Sequence, residues 1–179
     1  DALLSGIAGG GAAARLPPPI APLKRQLLLA RLIASMPGQS HPAQAVALAA
    51  ELARLLDQVQ TERLSFDGLK DLAPAEYAEH WQITLEFLKL LTDAWPAILA
   101  EEGALDPAHH RNLLFAAQIE AWNVAPPSGV KGGPVIAAGS TGSIPATADL
   151  LAAVADLPEG CVVLPGLDQT LDDQTWDRL

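Results

Sequence analysis

One short segment, residues 134–168, constrains the fold of this chain more than any other. An apolar run of strand-forming residues (134–138) is followed by a turn of small residues (139–143), a helix beginning near Pro145, and a second apolar run (161–164). This succession predicts a βαβ unit with two parallel strands. Because parallel strands are usually covered on both faces, we expect both runs to be buried.

The turn at 139–143 is the first place to look for a functional site, because ligands of open parallel sheets bind beyond the carboxyl ends of the strands. Nucleotide hydrolysis there requires acidic residues that hold Mg²⁺ and orient water, and a lysine in a phosphate-binding loop. Here Gly139 and Ser140 follow the first strand, and the motif G-x-x-x-x-G-K-[ST] is absent from the chain. The sequence therefore predicts a nucleotide-type turn without catalytic groups. Its backbone N–H groups could bind an anion, although a turn that only caps its own helix is more common.

The residues before this segment predict helices. Apolar residues recur at three- and four-residue steps over 22–36, 40–63, 74–102 and 107–126. Pro96 should kink the third helix or end its regular part. The positions expected to face the core are Leu23, Leu27, Leu28, Ala30 and Ile33; Val46, Ala49, Leu52, Ala53, Leu56 and Val59; Trp81, Leu85, Leu88, Leu91, Thr92 and Trp95; and Leu113, Leu114, Ala117, Ile119 and Trp122.

The expected fold class is α/β and mostly helical, with a helical bundle followed by a βαβ piece of a parallel sheet. We expect a linker over residues 1–20, a helical subdomain over 21–126 and the βαβ segment over 127–179. Half of the residues are hydrophobic, which is ample for a core.

Composition limits the classes of function. The formal net charge of −10 and the scattered positions of the eleven Lys and Arg residues argue against a free-standing nucleic-acid-binding domain. The single cysteine, Cys161, lies in an apolar run and excludes a disulfide within the chain, so we expect a buried, inert thiol in a reducing cytoplasm. No stretch is long and uncharged enough to cross a membrane, and no membrane partner is expected.

Three runs of sequence together resemble one protein family. They are residues 79–89 (EHWQITLEFLK), 139–151 (GSTGSIPATADLL) and 162–168 (VVLPGLD). They closely resemble the AddB subunits of alphaproteobacterial AddAB-type helicase–nucleases, and the resemblance spans nearly the whole chain. It implies an internal fragment of a subunit that pairs with an AddA-type subunit, acts on DNA in the full complex, and processes double-strand breaks for recombination.

The resemblance also implies how the two parts correspond to a superfamily 1 helicase. The helical region would be the helical insertion called 1B, and the βαβ segment would be part of the first RecA-like domain. In an active motor the first of these strands ends in an Asp–Glu pair, and the matching positions here are Gly139 and Ser140. The full set of degenerate nucleotide-site positions is Gly139, Ser140, Thr141, Gly142, Ser143 and Gln169, the last as a displaced remnant of a phosphate-sensing glutamine.

On this interpretation the fragment belongs to an inactivated motor that is retained as a scaffold, similar to the corresponding part of RecC. The family also carries a Mg-dependent nuclease with an iron–sulfur cluster at its C-terminus. This chain has neither a cysteine cluster nor a carboxylate–lysine nuclease pattern, so we expect no catalytic residue, metal ligand or cofactor within it.

Two other functional classes stay open. Ala138–Gly142 approximates the nucleophile elbow of a serine hydrolase with Ser140 as nucleophile, but that fold needs a later histidine and all four histidines precede Ser140. A helical protein-interaction module would suit the acidic composition but leaves the βαβ segment unexplained.

The remaining polar and aromatic features have plainer interpretations. His109 and His110 are adjacent and so point to different sides of a helix, which favours a solvated helix start over a metal site. The tryptophans at 81, 95 and 122 could stack on DNA bases, but their spacing with leucines favours core packing. The acidic residues at 168, 172, 173 and 177 resemble a metal cluster only loosely, and a solvated face is expected.

Overall fold

A proline occupies one of the first two positions of every α-helix that the structure describes. The structure is a computed structural model, and it describes residues 16–36, 41–66, 89–127 and 133–166. Proline suits a helix start because its fixed φ is already helical and its missing N–H would have no partner within the helix. The elements are α1 (Pro22–Ala34), α2 (Pro42–Thr61), a π-helical turn (Leu90–Ala94), α3 (Trp95–Glu101), α4 (Pro107–Val124), β1 (Val135–Ala138), α5 (Pro145–Ala155) and β2 (Gly160–Val163).

The described residues form a mostly helical α/β fold with five α-helices and a two-stranded parallel sheet, which confirms the predicted fold class. The chain divides into two compact units, residues 1–117 and 118–179, and the division falls within α4. The first two predicted helices end slightly earlier than expected, at Ala34 and Thr61. Residues 74–88 of the third predicted helix lie outside the described residues. None of the helices within the described ranges is both long and apolar enough to cross a membrane.

The π-helical turn lies immediately before the proline of α3. Pro96 cannot donate a backbone hydrogen bond to the preceding turn, and its ring crowds the carbonyl four residues earlier. A widened turn relieves this crowding, so the irregular geometry of Leu90–Ala94 occurs where the sequence predicts a kink or a break.

The core of the first unit forms where α1 packs on α2. Small residues of α2, Ala45 and Ala49, are almost fully buried and allow close approach of the two helices. The buried hydrophobic residues of this core are Ile20, Leu29, Ala30, Ile33, Ala45, Ala49, Leu52, Leu56, Leu91 and Trp95.

The predicted buried stripe is partly wrong in both helices. In α1, Leu23 and Leu27 are 69% and 57% exposed, whereas Arg25 is only 5% exposed. The buried face of α1 is thus rotated towards Arg25, because the arginine is paired with the buried carboxylate of Asp106 and with the half-exposed carboxylate of Asp57. In α2, Val46 is 42% exposed and Ala45 takes its place in the core.

The chain before α1 is attached to the loop before α4. Pro19 forms a parallel bridge with Leu105, the N–H of Ile20 donates to the Leu105 carbonyl at 2.9 Å, and the N–H of Leu105 donates to the Pro18 carbonyl at 3.0 Å. Ile20 is 4% exposed and belongs to the core of the first unit. Residues 18–20, which the sequence assigns to the end of a linker, therefore pack against structured chain.

The second unit contains the predicted βαβ arrangement. β1 and β2 are adjacent and parallel, and Val135 pairs with Gly160 at one end while Ala138 pairs with Val163 at the other. The helix between them, α5, contacts both strands and buries Ala146 and Val154. The strands confirm the predicted parallel pairing, with β2 beginning one residue earlier than expected.

The expectation that both faces of these strands are buried is wrong. Burial alternates along each strand, with partly buried residues on one face and exposed residues on the other. Ile136 is 64% exposed and Val163 is 52% exposed, and the thiol-bearing residue Cys161 is also exposed. Among the described residues of this unit, α5 is the helix that packs against the strands. The face of the sheet opposite α5 is therefore exposed. Cys161 is therefore not the buried thiol that its apolar sequence context predicts.

Candidate functional site

The turn between β1 and α5 has the backbone shape that its glycines allow. Gly139 and Gly142 adopt φ angles of +81° and +68°, in the left-handed region that residues with a Cβ atom rarely occupy. Gly142 is also packed closely, since a Cβ added there would lie 3.2 Å from Cδ1 of Leu151. Ser140 and Gly142 are partly buried, while Gly139, Thr141 and Ser143 are exposed.

The polar groups of the turn bond to one another. Ser140 Oγ accepts a hydrogen bond from the Gly142 N–H at 3.3 Å, and the Thr141 hydroxyl donates to Ser143 Oγ at 3.4 Å. The N–H of Gly139 donates to the Val163 carbonyl at 3.1 Å, which extends the sheet ladder by one residue. Two of the backbone donors of the turn are therefore already satisfied within the protein.

The first turn of α5 offers few free donors to an anion. Pro145 has no N–H, and the N–H groups of Thr147 and Ala148 both donate to the Ile144 carbonyl at 2.9 Å. A phosphate site at a helix start relies on several unpaired N–H groups that converge on the ligand. Three of the first four positions of α5 therefore offer no free N–H group to a phosphate.

Charged side chains are also poorly placed for nucleotide chemistry. Residues 133–166 contain no Lys, Arg or His, and their acidic residues are Asp149, Asp156 and Glu159. Asp156 caps the C-terminus of α5 and Glu159 precedes β2, so both belong to the end of the sheet where the strands begin. Asp149 lies within α5. Neither β1 nor β2 is followed by a carboxylate at its carboxyl end within the described residues, and the turn therefore lacks the ligands that Mg²⁺ prefers.

The surroundings of Ser140 do not support a role as a catalytic nucleophile. A catalytic serine needs a histidine within hydrogen-bonding distance as its base. The hydroxyl of Ser140 is instead the acceptor for the Gly142 N–H, and no histidine lies within 133–166. The second unit, as far as the structure describes it, contains a serine on a strand-to-helix turn without the base that would activate it.

A buried polar cluster in the first unit was not predicted from the sequence. Its centre is the carboxylate of Asp106, at the start of α4, which is 1% exposed. Asp106 Oδ2 accepts hydrogen bonds from Trp95 Nε1 at 2.9 Å and from Gln60 Nε2 at 2.8 Å. Asp106 Oδ1 lies 2.8 Å from Arg25 Nε, and Arg25 Nη1 reaches Asp57 at 2.9 Å. We call these five residues the Asp106 cluster.

The Asp106 cluster ties four helical segments together. Arg25 comes from α1, Asp57 and Gln60 from α2, Trp95 from α3 and Asp106 from the start of α4. The carboxylate is also favourably placed at a helix N-terminus, where the helix dipole is positive. A signal for the cluster does exist in the sequence, because Arg25 recurs with Leu29 and Ile33 at four-residue steps on a face that is otherwise apolar. Since Arg25 is paired with both carboxylates, the cluster is best explained as a structural element.

A groove of about 660 Å³ borders this cluster. Its walls are mostly apolar, and Gln60 and Asp106 contribute polar surface at one side. Phe66 and Leu91 also line it, close to the two ends of segment 67–88, which is outside the described residues.

The histidines and tryptophans within the described residues differ in burial. His109 is exposed, and partial burial lowers the pKa of His110 because the charged imidazolium loses hydration. No group of three or more His, Cys, Asp or Glu residues within the described ranges could hold a metal ion.

Trp95 is 1% exposed, which confirms core packing for this residue, whereas Trp122 is only partly buried.

Some predicted site residues cannot be placed. Gln169, the tryptophan at position 81 and the acidic residues at 168, 172, 173 and 177 lie outside the described residues. The structure therefore brings Gly139–Ser143 together in one turn but gives no position for Gln169.

Comparison with known proteins adds no family to these observations. No protein-family model, curated protein or solved structure matches the chain. The resemblance to AddB subunits consequently rests on the sequence runs alone.

Proposed function

We propose that this chain is a non-catalytic, helicase-like scaffold segment of an AddB-type subunit, which functions with an AddA-type partner in the repair of DNA double-strand breaks. The βαβ unit would be the remnant of a RecA-like nucleotide-binding domain, and the helical unit would be its 1B-like insertion. The parent complex would act on DNA in the cytoplasm, with its nuclease and any iron–sulfur cluster outside this segment.

The observation that carries the proposal is the chemistry of the turn at 139–143. The turn follows the carboxyl end of a parallel strand, which is where RecA-like motors place their Mg²⁺-holding carboxylates. Gly139 and Ser140 stand at that position and supply no charge. Four backbone donors here, those of Gly139, Gly142, Thr147 and Ala148, are bonded within the protein. A βαβ unit of this form can support neighbouring structure, and the residues described after the two strands supply no carboxylate to hold Mg²⁺.

The parallel pairing of β1 and β2 supports the proposal over a purely helical interaction module, because it gives the second unit an α/β topology. The lack of a histidine in 133–166 weighs against the serine hydrolase alternative. Three ordered runs of sequence similarity link this topology to the AddB family, as described above.

The experiment that tests this proposal is reconstitution of the full-length subunit with the AddA-type subunit from the same source. We expect the two proteins to copurify in a stable complex that degrades linear duplex DNA in an ATP-dependent manner. A variant with Ser140→Ala should retain this activity in full, because the hydroxyl serves only a local turn. A subunit that neither associates with an AddA-type partner nor affects DNA degradation would refute the proposal.

A matched variant distinguishes a scaffold from a dispensable segment. A Cβ atom at Gly160 would lie 1.7 Å from the Val154 carbonyl oxygen, so Gly160→Val should disrupt the second unit. If the segment is a scaffold, this variant should reduce DNA degradation, whereas Ser140→Ala should not. Equal activity of both variants, with the second unit shown to be unfolded in Gly160→Val, would show that the segment supports nothing in the complex.

A further inference from the structure

We draw no further inference here: the strongest candidate, the largely apolar groove in the first unit with Gln60 and Asp106 on its wall, carries no assignable ligand or partner because nothing in the structure shows what covers it.

Discussion

Replacement of Asp106 by alanine should strongly destabilise the first unit. The substitution removes the acceptor of a buried hydrogen bond from Trp95 and of a partly buried one from Gln60. It also removes a partner of Arg25, which is 5% exposed. Each buried donor left without an acceptor costs about 1–3 kcal/mol. Removal of one member of a buried ion pair typically costs about 3–5 kcal/mol in total. Because Arg25 keeps its contact with Asp57, we expect a loss of about 3–5 kcal/mol rather than the sum of all contacts.

The assay is urea denaturation of the full chain, followed by circular dichroism, with hydrogen exchange of the α1 and α2 amides to locate the effect. With a slope of about 1.5–2 kcal/mol per molar urea, the midpoint should fall by about 1.5–3 M. Asp106→Asn, which keeps one acceptor oxygen but loses the charge, should have an intermediate effect. The control is Glu51→Ala, since Glu51 is 71% exposed and pairs with exposed Arg54. The effect of this control on the free energy of unfolding should stay within about 0.5 kcal/mol. If Asp106→Ala shifted the midpoint no more than Glu51→Ala, the Asp106 cluster would not hold the four helical segments together.

Three further predictions concern single residues. Gly160→Ala should abolish the slow amide exchange of the second unit, because the added Cβ would overlap the Val154 carbonyl oxygen. In Gly139→Ala the added Cβ meets no atom within 4 Å, so this variant should lose only about 1 kcal/mol of stability, from its positive φ. Similar losses of stability in both variants would contradict the packing argument. Because the pKa of His110 is lowered in the folded protein, this histidine is protonated first in the unfolded chain as the pH falls below 6.5. The free energy of unfolding should therefore decrease as the pH falls. His110→Gln should weaken this pH dependence in urea titrations at several pH values. An unchanged slope in the variant would show that another group causes the dependence. Cys161 should react with iodoacetamide in the native protein nearly as fast as in urea, since it is exposed, and strong protection would show that this face of the sheet is covered.

Local signals in the sequence were sufficient for the element types and for the strand pairing. Prolines at 22, 42, 107 and 145 predict helix starts because their physical effect depends only on the adjacent backbone. Likewise, two short apolar runs separated by one helix predict parallel strands, because a crossover of that length returns the chain in the same direction.

Burial was harder to predict because it depends on residues far apart in the sequence. The charge of Arg25 predicts an exposed side chain. Its burial becomes favourable only because it pairs with Asp106, which lies at the start of a different helix. Hydropathy therefore assigned the buried face of α1 to Leu23 and Leu27, which are exposed. Cys161 was misassigned for the opposite reason, since an apolar sequence does not create the second layer that would cover it.

The turn at 139–143 could be predicted as a turn, but its chemistry depends on hydrogen bonds that sequence does not reveal. Hydrogen bonds from the Gly142 N–H to Ser140 Oγ and from the Thr147 N–H to the Ile144 carbonyl occupy two donors that a phosphate could otherwise use. These bonds follow from the exact backbone angles of the turn, which the glycines allow but do not determine.

The central claim is that the βαβ unit does not hydrolyse ATP. If the proposed function holds, its most direct test is the DNA-stimulated ATPase activity of the proposed complex, with the motor of the AddA-type subunit inactivated by mutation. Loss of the charges that hold Mg²⁺ and orient water typically raises the barrier by about 3–6 kcal/mol, which slows the reaction by about 10²–10⁴-fold. We therefore predict activity at the level of a buffer control, with no change when Ser140 is replaced by Phe. Robust ATP hydrolysis that is abolished by Ser140→Phe would contradict the account, because it would place a working nucleotide site at this turn.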